Sequence, residues 1–403
     1  MAGSDGAVVT VAGIDAGGRP GDPVLAEALA GAGLVVGAAR HLAVVPVPDG
    51  CPTVVLGPLA PALARLTAAV TAGTPVVVLA SGDPGFFGIV RRLRAAGLAL
   101  RVLPAVSSVA AAFARAGLPW DGAAVVSAHG RDPRPALNAC RALPAVAVLT
   151  APGAGAAEIG RGLAGWSRRL VVAEHLGTDR ERVTETSPAD AAARTWTDPH
   201  VVLCLARPDG AMRVDNQPAA APAGGWALPE RAYAHRDSMI TKAEVRALVV
   251  ARLRPRLGRL VWDVGAGSGS VGIECALLGA AVIAVERDPA AIVGANAARH
   301  GVDVRLVTGT APAVLAGLPE PDAVFVGGGG LDVLAAVAAR RPERVVVALA
   351  ALDRVGPAIG LLRTAGYAVE GTQLSAARLA DLPGGSIRLA ATNPVVVLTG
   401  ERP

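Results

Sequence analysis

Lysine is almost missing from this 403-residue chain: Lys242 is the single one, and arginine supplies the rest of the 38 basic side chains. Aromatics are scarce too, at 3%, so the chain lacks the interleaved rings and cations on which single-stranded nucleic acid stacks. The four cysteines, Cys51, Cys140, Cys204 and Cys275, lie far apart. They show neither metal-ligand spacing nor the density of a secreted disulfide framework, which predicts buried thiols and no metal. Long apolar runs are also absent. The uncharged stretch 66–82 is interrupted by Thr, Gly and Pro, short of the ~20 continuous apolar residues that a membrane helix needs. The opening Gly, Ser and Asp residues form no basic segment followed by an apolar signal core, so a cytoplasmic location without a membrane partner is expected.

What is abundant is small and aliphatic: 52% of residues are hydrophobic, with 49 glycines and 31 prolines. That balance suits α/β domains with Val-rich strands and Ala-rich helices, and the length predicts more than one core. A net charge of +5 favours an anionic partner: nucleic acid, phosphates, or a small molecule carrying several carboxylates. A solvated arginine surface would produce the same excess.

Strand-like runs at 7–14, 33–37, 75–80, 123–127, 145–149, 170–174 and 200–205 alternate with helical patterns and predict an α/β domain over 1–207. Periodicity dissolves in the Asp-, Pro- and Gly-rich stretch 208–229, which reads as a linker. The third segment, 230–403, opens with an amphipathic helix at 241–257. Regular strands follow at 259–264, 281–286, 302–307, 323–327 and 344–349, with a closing strand at 395–398. No solenoid or propeller period is present.

In the last segment a strand ends in Asp263-Val264-Gly265-Ala266-Gly267-Ser268-Gly269 and a helix follows. The glycines let the backbone turn tightly and approach a ligand where a Cβ would collide, and the fresh helix start offers free N–H donors. Dinucleotide enzymes use Gly-x-Gly-x-x-Gly, a different spacing. Asp263 would repel a pyrophosphate but suits a ligand carrying a sulfonium and an ammonium, as S-adenosyl-L-methionine does. Glu286 ends the next strand about 20 residues on, where a carboxylate accepts ribose hydroxyls; alternatively it opens the next helix as an exposed charge.

This region resembles the class I methyltransferases. With Thr241-Lys242-Ala243-Glu244-Val245-Arg246, Gly309-Thr310-Ala311-Pro312 and Val324-Phe325-Val326-Gly327-Gly328-Gly329, it is similar to the decarboxylating precorrin methyltransferases of cobalamin biosynthesis. The resemblance implies donor contacts from Thr241, Gly265, Ala266, Gly267, Ser268, Gly269, Glu286 and Ala311. Thr241 with Glu244 also fits a helix capping box.

In the first segment Val76-Val77-Val78-Leu79-Ala80 runs into Ser81-Gly82-Asp83-Pro84-Gly85-Phe86-Phe87-Gly88. Around it stand Gly13-Ile14-Asp15-Ala16-Gly17-Gly18, Pro104-Ala105-Val106-Ser107-Ser108 and Ser127-Ala128-His129-Gly130-Arg131. In this order they resemble the tetrapyrrole methylases, in the precorrin-6Y branch. The resemblance implies two α/β lobes with a second donor molecule in the cleft between them, contacted by Ala16, Ser81, Gly82, Asp83, Phe86, Ser107, Ser108 and Thr150. Many members of that family carry Gly-x-Gly-Pro-Gly-Asp in the first loop; Asp15 and Gly18 depart from it here.

The expected fold is thus α/β: a two-lobed tetrapyrrole methylase joined by a linker to a Rossmann-like class I methyltransferase, with one S-adenosyl-L-methionine per domain. Together the two resemblances imply methylation of precorrin-6Y at carbons 5 and 15, with loss of the ring C acetate carboxyl as carbon dioxide, giving precorrin-8X. They also imply a homo-oligomer. Rival readings are an RNA or other small-molecule class I methyltransferase and a non-catalytic donor-binding sensor. His129 with Arg131 fits a general base or a carboxylate grip, or a structural hydrogen bond at a strand end. His235, Arg236, Lys242 and Arg246 are candidates to meet the substrate's carboxylates, since guanidinium pairs with carboxylate through two parallel hydrogen bonds. His41, His175, His200 and His300 fall in no motif and are expected to be structural.

Overall fold

The computed structural model describes residues 8–57, 59–206, 225–236, 240–288 and 291–403. Most of the expected linker, 207–224, lies outside the described residues.

The first lobe holds strands β1 (Val9–Ile14), β2 (Leu34–Gly37), β3 (Thr53–Val55), β4 (Val76–Ser81) and β5 (Leu100–Leu103), with helices α1 (Val24–Ala30), α2 (Ala39–Leu42), α3 (Leu59–Thr71) and α4 (Val90–Ala95). Its parallel sheet runs in the order β3-β2-β4-β1-β5. Val9, Val11, Val36 and Val78 are fully buried in it, as expected of parallel strands covered on both faces.

Helix α5 (Ser108–Ala116) leads into the second lobe. That lobe comprises β6 (Ala124–Ser127), α6 (Arg134–Ala142), β7 (Ala145–Leu149), α7 (Ala156–Gly162), β8 (Arg168–Glu174), β9 (Arg182–Thr186), α8 (Pro188–Ala193) and β10 (His200–Ala206). Its mixed sheet has the order β6-β7-β10-β8-β9.

The last segment contains α9 (Ala243–Leu253), β11 (Leu260–Val264), α10 (Ser270–Leu277), β12 (Ala281–Glu286), α11 (Ala291–Arg299), β13 (Arg305–Thr308), β14 (Ala323–Val326), α12 (Gly330–Ala339), β15 (Arg344–Leu349), α13 (Val355–Thr364), β16 (Ala368–Leu374), β17 (Ala377–Asp381), β18 (Ile387–Ala391) and β19 (Val395–Glu401). Seven strands form one sheet in the order β13-β12-β11-β14-β15-β19-β16. Strands β11 to β15 are parallel and β19 runs antiparallel to its neighbours. This is the Rossmann-like arrangement expected; β17 and β18 form a separate two-stranded sheet.

Two boundaries differ from expectation. Helix α9 stops at Leu253 rather than 257, because Pro255 disfavours helical backbone at Arg254, which sits instead at φ 51°. Strand β13 starts at Arg305 rather than 302, because the end of α11 continues as turns, with the Val302 N–H on the Ala297 carbonyl.

The crossover from β13 to β14 carries only the 3-10 turn Ala313–Gly317. Over β12, α6 of the second lobe takes the place of a full crossover helix. Ala136, Ala139 and Cys140 share one apolar cluster with Leu260, Trp262, Ala281 and Ile283. Asn138 Nδ2 donates to the Gly258 carbonyl (3.0 Å), Arg134 pairs with Asp322 (3.0 Å), and buried Arg168 pairs with Asp303.

Candidate functional site

At the carboxyl ends of β12, β11 and β14, three loops converge. Gly265, Gly267 and Gly269 all adopt left-handed backbone, at φ 75°, 56° and 76°, a region closed to most side chains. A Cβ on Gly265 would come within 3.0 Å of the Gly328 nitrogen, so the expected Gly327-Gly328-Gly329 turn packs directly against the Gly265 loop. The carboxyl ends of parallel strands are where open α/β sheets bind ligands.

Glu286 reaches into this loop: Oε2 accepts from the Gly267 N–H (2.8 Å) and Oε1 from the Arg287 N–H (3.0 Å). Behind it, the Gly309 N–H donates to the Glu286 carbonyl (2.9 Å), which brings the Gly309-Thr310-Ala311 turn to the Glu286 end of the strand. Asp263 is 1% exposed. Its Oδ2 accepts from the Gly272 N–H (2.8 Å) of α10, while Oδ1 has no partner. Burial pushes this carboxyl up to about 7; the Gly272 N–H opposes the shift and the Glu286 charge adds to it. A buried carboxylate with one free oxygen fits a cationic ligand that brings its own compensating charge.

Thr241 does not cap α9: the N-cap is Lys242, without a side-chain cap bond. The first turn is served instead by Glu230, which accepts from the Ala243 N–H (3.2 Å), and Glu244 turns away to Arg378 (2.6 Å). The Thr241 carbonyl is held by Arg246 Nη1 (2.6 Å).

Arg246 itself is no free carboxylate grip. It and Glu274 are both 0% exposed and paired at 2.6 Å; Glu274 also accepts from Tyr233 Oη and from the Ala227 and Leu228 N–H groups. Arg236 is likewise engaged, with Asp288 at 2.6 Å. Half-buried Lys242 stands beside the Thr241 segment and His235 is exposed a few residues before it.

Sequence reasoning missed Asn296. Its Nδ2 donates to the Ser268 and Ala234 carbonyls, both at 2.9 Å, and its Oδ1 accepts from the Ala234 N–H. An asparagine inside a helix carries no motif, so only the contact reveals that it ties α11 to the glycine loop.

The second set of loops lies at the carboxyl ends of β4, β1 and β5. The Gly82 N–H donates to the Ile14 carbonyl at 2.6 Å. A Cβ on Gly82, at φ 61°, would approach Ser107 Cα to 3.1 Å, and one on Gly13 would strike the Gly82 oxygen at 2.3 Å. Ser81, Gly82, Asp83, Ser107 and Ser108 are therefore brought together. Ser107 caps α5 through the Ala110 N–H (3.1 Å), and Asp83 Oδ1 accepts from the Gly85 N–H (2.8 Å).

The lobes meet at this edge. A Cβ on Gly177, in the turn after β8, would lie 3.0 Å from the carbonyl carbon of Ala16. Phe86 packs against the second-lobe cluster of Val171, Val201 and Leu203. Thr150 stands across the joint at the end of β7, its hydroxyl donating to the His200 carbonyl. His129 and Arg131 are exposed in the loop after neighbouring β6; the His129 N–H donates to Ser127 Oγ (3.3 Å).

Two of the remaining histidines are structural: His200 Nε2 accepts the Ala156 N–H at the start of α7 (3.1 Å), and His300 Nε2 meets the Ala232 carbonyl (3.0 Å). His41 is different. It lies 3.1 Å from Ser81 Oγ, inside the loop cluster. All four cysteines are free, three of them buried and Cys51 half-buried. Among the described residues no helix is long and apolar enough to cross a membrane.

Residues 231–395 match the precorrin methyltransferase domain family, and residues 23–192 match the tetrapyrrole (corrin/porphyrin) methylases. A precorrin-6Y C(5,15)-methyltransferase (decarboxylating) from Sinorhizobium is 43% identical over 279 residues, 64% of this chain and 63% of that protein. The chain thus spans a little under two thirds of the length of that relative. A probable cobalt-precorrin-6B C(15)-methyltransferase (decarboxylating) from Pyrobaculum calidifontis is 38% identical over 184 residues, 43% of this chain and 94% of that protein. The crystal structure of a precorrin-6Y C5,15-methyltransferase from Geobacter metallireducens aligns at 33% identity with a TM-score of 0.41, covering 46% of this chain and 100% of that one. By the end-to-end match to the Pyrobaculum protein, the chain belongs to the family of decarboxylating precorrin methyltransferases, with a tetrapyrrole methylase domain ahead of the precorrin methyltransferase domain.

Proposed function

We propose that the chain is an S-adenosyl-L-methionine-dependent C-methyltransferase of cobalamin biosynthesis with two donor sites. It methylates precorrin-6Y at carbon 5 in the N-terminal part and at carbon 15 in the C-terminal part, where the ring C acetate also loses carbon dioxide, and the product is precorrin-8X. The carrying observation is that one chain holds two glycine-cornered loop clusters, each at the carboxyl ends of parallel strands in an unrelated sheet. The names of the relatives point to the same substrate class and chemistry.

The donor, when bound, supplies a methyl group already activated by sulfonium, so the protein needs no covalent nucleophile. In the C-terminal site Asp263 faces the donor's positive charge, Glu286 exchanges its glycine-loop contacts for the ribose hydroxyls, and Ala311 and Thr241 border the pocket. In the N-terminal site Ala16, Ser81, Gly82, Asp83, Phe86, Ser107, Ser108 and Thr150 line the joint between lobes. Holding donor and macrocycle in line and dry supplies most of the acceleration. Lys242 and His235 at one site, and His129 and Arg131 at the other, remain the cations placed to meet substrate carboxylates. A cytoplasmic, homo-oligomeric enzyme completes the reading. Titration calorimetry with S-adenosylhomocysteine tests it: two molecules should bind per chain, and a stoichiometry of one contradicts the two-site arrangement.

A further inference from the structure

Methylation of a ring carbon by a sulfonium donor needs a destination for one proton. Replacing hydrogen on a meso carbon by a methyl group from a sulfonium releases one proton, and the first lobe has an acceptor at the required edge. Ser81, the last residue of β4, opens the Gly82-Asp83 loop and is solvent-exposed. Two neighbours from α2 stand behind it. Arg40 Nη2 donates to Ser81 Oγ at 2.8 Å, and His41 Nε2 lies 3.1 Å from the same oxygen.

The arginine has only protons to give. Arg40 occupies one lone pair of Oγ and its Nε also donates, at 3.4 Å, to His41 Nε2, which is therefore the unprotonated nitrogen and the nearer acceptor, at 3.1 Å, for the hydroxyl's own proton. The surroundings keep it so. His41 is 5% exposed, and its pKa is lowered first by burial and second by the Arg40 charge, with a weaker opposing pull from the Leu79 backbone. Nδ1 makes no well-formed hydrogen bond. The strands packed on α2, namely β2, β3 and β4, carry no titratable side chain, so Arg40 is the charge that faces the ring.

We propose that Ser81, backed by His41 and oriented by Arg40, accepts the proton released by the N-terminal methylation. As the new carbon–carbon bond forms, the methyl–sulfur bond breaks with its electron pair left on sulfur. The carbon–hydrogen bond at the methylated carbon then breaks, and its electron pair returns to the macrocycle. Ser81 Oγ takes that proton while its own passes to His41 Nε2. Ser81 is thus the catalytic residue, and His41 and Arg40 act through it as positioning residues. A serine made basic by an adjacent imidazole is an established solution for hydroxyl chemistry, and a positioned acid–base group contributes about 100-fold or more.

This assignment rests on the proposed methyl transfer to precorrin-6Y. Its test uses the full chain, precorrin-6Y and a donor with an isotopically labelled methyl, with carbon 5 and carbon 15 labelling read separately by NMR. His41→Gln should retain S-adenosylhomocysteine binding at both sites and carbon 15 labelling, while carbon 5 labelling slows about 100-fold. In the unaltered protein the carbon 5 rate should fall as pH drops through the His41 pKa, below the ordinary 6.5. Arg40→Gln, an exposed change, removes a charge that holds that pKa down and should move the acid limb to higher pH. A His41→Gln protein with unaltered carbon 5 rate, or an Arg40→Gln protein with an unmoved limb, overturns the relay alone. An unaltered protein that binds donor but labels neither carbon overturns the functional reading and the relay with it.

Discussion

Asp263 carries the most consequential charge among the proposed donor contacts, because its pKa near 7 makes donor binding a function of pH around neutrality. The donor's positive charge favours the ionised carboxyl, so affinity at the C-terminal site should weaken below pH 7, by up to about tenfold per pH unit. Stability runs the other way. A carboxyl whose folded pKa exceeds its unfolded value stabilises the fold while protonated, and that contribution is lost as pH rises through about 7. Asp263→Asn should therefore gain thermal stability relative to the unaltered chain between pH 6 and pH 8, and lose the pH slope in C-terminal donor affinity. Calorimetry across pH measures both, and a flat affinity in the unaltered protein would count against the role given to Asp263. The motif around this residue was legible in sequence because glycines at strand ends are diagnostic: each sits at positive φ or against another loop. Asn296 and His41 were not legible, since each acts through a side chain that meets a loop distant in sequence.

At the scale of elements, the pair Arg246 and Glu274 joins α9 to α10 and fixes the segment from Ala227 to Tyr233 through further bonds to Glu274. Removing one member of a buried pair leaves an uncompensated charge, at a cost of about 3–5 kcal/mol. Glu274→Ala should lower the melting temperature of the unit containing α10 by on the order of 10 °C. It should also weaken donor binding there, because Arg246 would no longer be braced where it holds the Thr241 carbonyl. An unchanged melting temperature would show that the pair is not a strut. The interior strands were readable as Val-rich runs for the reason that makes parallel strands stable, burial on both faces. The strands that sequence reading missed, β3, β5, β9 and β16, are sheet edges, and their partly exposed faces break the apolar run: β5 reads Leu-Arg-Val-Leu with its middle two side chains exposed. The hairpin of β17 and β18 was missed because its leucines point to solvent rather than into a core. The Arg246 assignment failed for a related reason, since an arginine in a helix pattern gives no sign of a buried carboxylate 28 residues away.

At the scale of the molecule, that hairpin is the surface that the proposed homo-oligomer would cover. Leu379, Ile387 and Leu389 are 75%, 61% and 68% exposed, an apolar strip unusual on a free surface. If the proposed homo-oligomer forms through this strip, the unaltered chain should sediment at a multiple of its own mass and the variant with Leu379→Asp and Leu389→Asp at a smaller one; an unaltered chain that sediments as a monomer contradicts the proposed oligomer. Within one chain, α6 seals the face of β12 that the short crossover leaves open, so the second lobe and the C-terminal sheet share one apolar cluster. The central claim joins both halves: two methylations and one decarboxylation on a single macrocycle. It is tested most directly by incubating the full chain with precorrin-6Y and S-adenosyl-L-methionine and weighing the product by mass spectrometry. The account predicts two methyl gains with one loss of carbon dioxide; a product with a single methyl and its carboxyl retained would contradict it.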